Sequence, residues 1–260
     1  MAKYEFDGDK YLKASKHQKE WGRKLISELE ITDNDFILDL GCGDGLLTKI
    51  ISDIAKNGYV LGIDASEGMI TKAKEFESDN LKFQVLDIND INFQNEFDII
   101  ISNATLHWVK DHKKLLRNCY KGLKPNGIIR FNFAGDGNCS NFFNVVKNKI
   151  KSEDFSKYFA HFEWPWFMPS KEEYQIIVED SQFSEMKIWK ENADRFFQNE
   201  KEMTRWIEQP SIVPFLTYID NEKDKDYFRD QVVEEMIRLT KKEDGRCFET
   251  FRRINIYARK

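Results

Sequence analysis

A short apolar run, Phe36 to Leu40, breaks into Gly41-Cys42-Gly43-Asp44-Gly45 and passes at once into a helical stretch from Leu46 to Ala55. No other feature of the chain constrains its fold as tightly. Glycines let a strand turn into a helix within a few residues and let a ligand touch the main chain. The helix behind the loop offers free N–H groups and positive potential to whatever lies there. Asn57-Gly58 then stops the helix, and Tyr59 to Ile63 reads as a second strand ending at Asp64.

The same alternation continues. Ser66 caps a helix through Lys74, Leu81 to Leu86 is a third strand ending at Asp87, and Phe97 to Ser102 is a fourth. Asp111 caps a helix through Leu123, and Pro125-Asn126-Gly127 turns into a fifth strand, Ile128 to Phe133. Strands alternating with helices mean a parallel sheet covered on both faces. After Phe133 the rhythm fails. Residues 135–175 are aromatic and irregular, Met186 to Trp189 reads as a sixth strand, 199–240 as largely helical, and Ile254 to Ala258 as a final strand. Ahead of the sheet, Tyr11, Ser15, Gln18, Gly22, Leu25 and Leu29 fall on one helical face. Gln18 is a polar amide on that inward face and must find partners. The expected fold is α/β, a Rossmann-like, seven-stranded, mostly parallel sheet with helices on both faces and a mainly helical cap. Its 260 residues form one domain, with a core of about 30–135, 183–190 and 250–260 and a cap of about 1–29, 136–180 and 195–248.

The glycine spacing narrows the ligand. Dinucleotide binders favour G-x-G-x-x-G; here the loop reads G-x-G-x-G, with Leu46 where the third glycine belongs. Asp39 stands just before the loop, where a carboxylate would repel a pyrophosphate but suit an ammonium group. S-adenosylmethionine (SAM) carries an amino group, a carboxylate and a sulfonium, and no phosphate, so the local charge favours it over a nicotinamide cofactor. Asp64, 23 residues after Gly41, is placed to reach ribose hydroxyls. Asp87 is placed to accept from an adenine amino group, with Ile88 or Met69 against the ring. Each aspartate alone also reads as a mere helix or loop cap; the three in register with the loop form the signal.

The string Leu38 to Gly45, with Asp64 and Asp87-Ile88, resembles the first three motifs of class I SAM-dependent methyltransferases. Ser102 to Val109 (SNATLHWV) and Leu123 to Gly127 resemble the motifs around their fourth and fifth strands. Asn126 replaces the usual glycine before Gly127 and tolerates the same left-handed turn. The resemblance implies cofactor contacts at Asp39, Gly41, Cys42, Gly43, Gly45, Asp64, Ala65, Met69, Asp87, Ile88 and Asn103. More of the chain is similar to trans-aconitate methyltransferases: the segment Ser102 to His112, with His107 for their Gln, then Trp206-Ile207, Val213 to Leu216 and Arg252 to Lys260. The Tyr11…Ser15…Gln18 pattern also resembles juvenile hormone acid methyltransferases. In that family a Gln on this helix and the Trp of L-H-W hold the substrate carboxylate, roles that fall here on Gln18 and Trp108. No cluster of Arg or Lys stands in 135–170, so a more apolar acid than a tricarboxylate is expected.

Methyl transfer to a carboxylate needs no general base, because the acceptor is ionised at neutral pH. An amine or phenol usually needs one, which makes His107 the candidate catalytic residue for that case. Trp164, Trp166, Phe167, Trp206 and Phe215 read either as an apolar roof or as ordinary core. With Tyr11, Gln18, His107 and Trp108, the residues Trp166, Trp206 and Phe215 are the expected substrate contacts. A tryptophan cluster also suits a cationic amine through cation–π contact. The leading expectation is methyl transfer to the carboxylate of a small organic acid; the alternatives are an N-methyltransferase or a phenol O-methyltransferase.

Composition argues against other classes. The net charge is −5 and no long basic run occurs, which argues against nucleic acid as partner. Four separated cysteines and four histidines argue against a disulfide framework or a metal site. The charged first residues form no signal peptide, and no apolar run reaches membrane-span length. A cytoplasmic enzyme of small molecules, with no obligate protein partner inferred, is the expectation.

Overall fold

The computed structural model describes residues 16–260. Tyr11 and Ser15 lie outside the described residues. The chain runs α1 (Lys16–Ser27), β1 (Phe36–Leu40), α2 (Leu46–Ile54), β2 (Tyr59–Asp64), α3 (Glu67–Ala73), β3 (Leu81–Val85), β4 (Phe97–Asn103), α4 (His112–Gly122) and β5 (Leu123–Ala134). It continues with α5 (Ser140–Lys149), α6 (Lys171–Glu179), β6 (Ser184–Asn192), β7 (Arg195–Phe197), α7 (Glu200–Trp206), α8 (Val213–Leu216), α9 (Glu222–Thr240), β8 (Cys247–Glu249) and β9 (Arg252–Arg259).

Seven strands form one sheet in the order β3-β2-β1-β4-β5-β9-β6, and β7 pairs with β8 in a separate ribbon. The first five strands are mutually parallel; β9 inserts antiparallel between β5 and β6. The central strands are apolar at nearly every position because both faces are covered. Ile37, Ile99 and Ile101 face a cluster with Leu25 and Ile26 of α1, Ile51 of α2 and Ile70 of α3. Leu38, Leu40 and Ile100 face the opposite cluster, with Leu115 and Leu116 of α4 and Tyr174 and Val178 of α6. Helix α6, grouped with the cap by its place in the chain, therefore packs on the sheet. A third cluster, rich in aromatic residues, is built from α1, α5, α7, α8, α9 and the loops between them.

Local chemistry sets the element ends. Ser66 Oγ accepts from Met69 N–H at 3.3 Å and Asp111 Oδ1 from Lys114 N–H at 2.9 Å, so both expected N-caps form. Asn126 has φ 66° and lies near the start of β5, which begins at Leu123, ahead of the expected Ile128. Helix α5 lies in a stretch read as irregular and the β7–β8 ribbon at the ends of the part read as a mainly helical cap; Glu249 anchors the helix. Its buried carboxylate accepts from the N–H groups of Phe142 at 2.9 Å, Asn141 at 3.2 Å and Thr250 at 2.7 Å. It thereby satisfies the first turn of α5 from more than a hundred residues away, a cap that no local pattern reveals.

Candidate active site

Strand order reverses about β1, since β2 lies on one side of it and β4 on the other. At such a switch point the loops leaving the strand ends diverge and open a crevice. The loop after β1 lines it with main chain. Gly41 has φ 75°, and a side chain there would meet Thr105 Cγ2 at 2.2 Å. Gly43 also has positive φ, but a Cβ on it would meet nothing within 4 Å; this glycine opens onto the cavity. Thr105 Oγ1 donates to the Gly41 carbonyl at 3.1 Å and ties the β4 loop to the glycine turn.

Four carboxylates line this end of the cavity: Asp39, Asp44, Asp64 and Asp87. Asp64 accepts from the N–H groups of Gly43 at 3.1 Å and Ser66 at 2.9 Å, so it holds the turn as well as facing the cavity. Burial raises its pKa, against those two bonds. Asp39 is 4% exposed and accepts from Thr48 Oγ1 at 2.8 Å. Burial, with the Asp64 charge adding to it, pushes its carboxyl up to about 7. A cation arriving beside it would restore the ionised form. Asp87 Oδ1 accepts from the N–H and side-chain amide of Asn89 at 2.9 and 2.7 Å. Lys19 on α1 pairs with Asp44 at 3.1 Å.

The far end is aromatic. Trp21, Trp108, Phe142, Phe143, Trp166, Trp206 and Phe251 line it, with Gln18, His107, Asn138, Cys139, Met168 and Arg253. The segment 164–168 is laid against the β4 loop by main-chain bonds. Phe167 N–H donates to the His107 carbonyl at 2.8 Å, and Lys110 Nζ donates to the Trp164 carbonyl and, at 3.3 Å, to that of Trp166. His107 sits deep in the molecule, and burial, then the Arg253 charge and His112, push its pKa down to about 3. It is neutral at physiological pH and a poor proton acceptor. Cys42 and Cys139 are also buried, and burial pushes both thiols well up, out of nucleophile range.

Most residues singled out in the sequence meet in this one cavity: Gln18, Asp39, Gly41, Cys42, Gly43, Asp64, Ala65, Met69, Asp87, Ile88, Asn103, His107, Trp108, Trp166 and Trp206. Among the described residues, two of the expected contacts do not join them. Tyr11 lies outside the described residues. Gly45 turns the chain behind the lining, its φ 77° and its contact with Ala73 and Phe83 leaving no room for a side chain. Phe215 is fully buried behind the wall, stacked on Phe162 at 5.2 Å and packed on Trp166 at 5.8 Å. Trp164 and Phe167 also face away; Phe167 packs on His112 at 4.9 Å. Sequence reasoning missed Lys19, Trp21, Asn138, Phe251 and Arg253. For Arg253 a signal existed: IIRFNF in β5 and RRINIY in β9 place a polar residue at every second position, the mark of one polar sheet face.

The residues present fit SAM. Asn103 Oδ1 and Gln18 Oε1 are buried without a hydrogen-bond partner among the described residues, as is His107 Nδ1. Two orphaned acceptors on the cavity wall, beside a carboxyl poised near neutrality, suit an ammonium group. Asp64 and Asp87, on neighbouring strand ends, suit hydroxyls and an amino donor, and Met69 and Ile88 supply apolar faces.

Comparison with known proteins agrees. Residues 38–131 match the family model described as a methyltransferase domain. Trans-aconitate 2-methyltransferase of Deinococcus radiodurans is 25% identical over 189 residues, covering 71% of this chain and 72% of that protein. The YcgJ protein of Bacillus subtilis superposes with a TM-score of 0.63 at 18% identity, over 93% of this chain and 98% of that one. Phosphoethanolamine N-methyltransferase 2 of Haemonchus contortus, bound to phosphomonomethylethanolamine and S-adenosylhomocysteine, superposes with a TM-score of 0.58 at 19% identity, over 93% of this chain and 52% of that one.

Proposed function

Starting from a chain that is a class I SAM-dependent methyltransferase, we propose that its acceptor is the carboxylate of a small, largely apolar organic acid. SAM, when bound, supplies an electrophilic methyl group on a sulfonium. The glycine loop, with Asp39 and Asn103, holds the amino-acid part of this cofactor, and Asp64, Asp87, Met69 and Ile88 hold the nucleoside. The aromatic end takes the acceptor. Gln18 and Trp108 orient its carboxylate, and the aromatic walls keep water away, so that the work of the site is alignment. Such alignment lowers a barrier by roughly 7–11 kcal/mol in well-held pairs.

One observation carries the choice of acid. The described residues lining the aromatic end include no carboxylate, and the one imidazole there is held neutral with its pKa near 3. Among the described residues there, a protonated amine would find neither a counter-charge nor a base to take its proton. A carboxylate needs neither. A relative that acts on an acid, trans-aconitate 2-methyltransferase, supports this reading; the amine-acting structural neighbour shares only the fold. The reading extends to an enzyme of cytoplasmic small molecules. Among the described residues no helix is long and apolar enough to cross a membrane.

The test is a screen of small acids, amines and phenols with a methyl-labelled donor. A carboxyl methyl ester releases its label as volatile methanol in mild alkali; N-methyl products and aryl ethers keep it. Alkali-stable product from an amine would overturn the proposal. Gln18→Ala and Trp108→Ala should then impair turnover of the identified acid while cofactor affinity stays nearly intact.

A further inference from the structure

Helix α1 brings Gln18, Lys19 and Trp21 to the cavity wall, and its two halves are held differently. The C-terminal half is tied to the sheet. Lys24 pairs with Glu191 of β6 at 2.6 Å, and Glu28, just past the helix, pairs with Arg130 of β5 at 2.5 Å. The N-terminal half is tied to the pieces that form the cofactor end. Lys19 pairs with Asp44 of the glycine loop at 3.1 Å, and Asn103 Nδ2, at the end of β4, donates to the Gln18 carbonyl at 2.8 Å. Gly22 lets the helix come this near. A Cβ there would meet Leu47 Cδ1 at 2.1 Å and Asn103 Nδ2 at 3.1 Å. Glycine weakens a helix interior, so its place here marks a close approach. The Asn103 amide faces two ways. Its bond to the Gln18 carbonyl fixes which end is the nitrogen. Oδ1 is left on the other side, buried and without a hydrogen-bond partner among the described residues.

We propose that Asn103 is a positioning residue that couples the two ends of the cavity: a cofactor ammonium held on its Oδ1 tightens its Nδ2 bond to the Gln18 carbonyl, and so sets α1, with the Gln18 side chain, for the acceptor. The coupling rests on the cofactor and acceptor ends assigned above and deepens that reading. The physics is that of a hydrogen-bond chain. A cation that donates to an amide oxygen polarises the amide and makes its N–H a stronger donor, most of all where water is excluded. The half of α1 that responds is the half without ties to the outer strands β5 and β6. Coupling of this kind is reciprocal, so an acceptor held by Gln18 also slows escape of the cofactor.

Hydrogen–deuterium exchange of the full chain, with and without saturating S-adenosylhomocysteine, reads the placement of α1 whatever the acceptor is. In wild type the ligand should slow exchange in α1 (Lys16–Ser27) and in the glycine loop, each by at least about threefold, the worth of one hydrogen bond. Asn103→Asp keeps an oxygen for the ammonium and has no N–H for the Gln18 carbonyl. It should still bind S-adenosylhomocysteine and protect the glycine loop, while protection of α1 is lost. A residue that only stabilises the fold would change exchange in sheet and helix alike, and that pattern overturns the proposal. So does absence of α1 protection in wild type, or equal α1 protection in Asn103→Asp. If Asn103→Asp does not fold, Asn103→Leu takes its place, with the ligand raised to saturation; retained protection of α1 then overturns the proposal. Once an acceptor is identified, its KM at saturating SAM should rise about threefold to tenfold in Asn103→Asp, and an unchanged KM counts against the coupling. Alkali-stable product from wild type, with the expected pattern of protection, supports the coupling and sinks the acid reading alone.

Discussion

Gly41 and Gly43 shape one end of the cavity with main chain, drawn from a single turn and its neighbouring strand ends. Trp108, Phe142, Trp166, Trp206 and Phe251 shape the other with side chains from five separate stretches. The first end is specified by conformation: what counts is the absence of a Cβ and the direction of N–H groups. The second is specified by volume, and volume can be supplied in many ways. The difference explains why the cofactor is shared across a large family while the acceptor is not.

Gly41→Ala is the strongest attempt to break this contrast. Positive φ and collision with Thr105 should cost roughly 4 kcal/mol. Calorimetry should show cofactor binding lost. Wild-type affinity for S-adenosylhomocysteine would show that the turn is not conformationally specified at all.

Trp166→Ala probes the other side. Deleting a buried tryptophan should remove about 3 kcal/mol of stability in urea unfolding, and the acceptor KM should rise. Affinity for S-adenosylhomocysteine should stay within about twofold, by the independence of distant sites. If cofactor affinity falls as far as acceptor affinity does, the two ends are one.

A comparable effect belongs to the sheet beneath both ends. His112 donates from Nε2 to the Leu106 carbonyl and accepts at Nδ1 from Tyr174 Oη. Burial, against the bond to the Leu106 carbonyl, pushes its pKa from 6.5 down to about 4. The unfolded chain therefore binds a proton that the folded chain refuses, so stability rises with pH across this interval. The contribution is complete above about 6.5 and is lost as pH falls towards 4; it amounts to roughly 3 kcal/mol. His112→Gln, which keeps a donor and an acceptor, should flatten stability against pH between those values. An unchanged slope would mean that His112 is not the group.

Asp64→Asn should act more mildly. The carbonyl oxygen of Asn can still accept from a main-chain N–H, but the charge facing the ribose position is gone. Cofactor affinity should drop on the order of tenfold to a hundredfold. No change would remove Asp64 from the cofactor's partners.

The same contrast governed what could be read from residues alone. Strands β1 to β5, the glycine turn, and the caps Ser66 and Asp111 were legible because each rests on neighbours in sequence. Asp64, Asp87 and Asn103 reached the cavity because parallel strand ends must converge there. The aromatic end was legible only as a composition. Nothing local tells Phe215, buried behind the wall, from Trp166, which forms it, for both are aromatic residues of the cap with no periodic pattern to orient them. Arg253 was missed although a final strand was expected beside it, because its register against β5 shows only once β9 is seen slotted between β5 and β6. Helix α5 escaped notice because its cap, Glu249, comes from the far end of the chain.

The segment 164–168 is fastened in part through its main chain: the N–H of Phe167 on the carbonyl of His107, and the carbonyls of Trp164 and Trp166 under Lys110. This part of its attachment does not depend on the side chains at 166 and 168. Natural drift or a randomised library at positions 166 and 168 can remould the acceptor's berth while the strap stays moored, so new substrates lie only a few codons away.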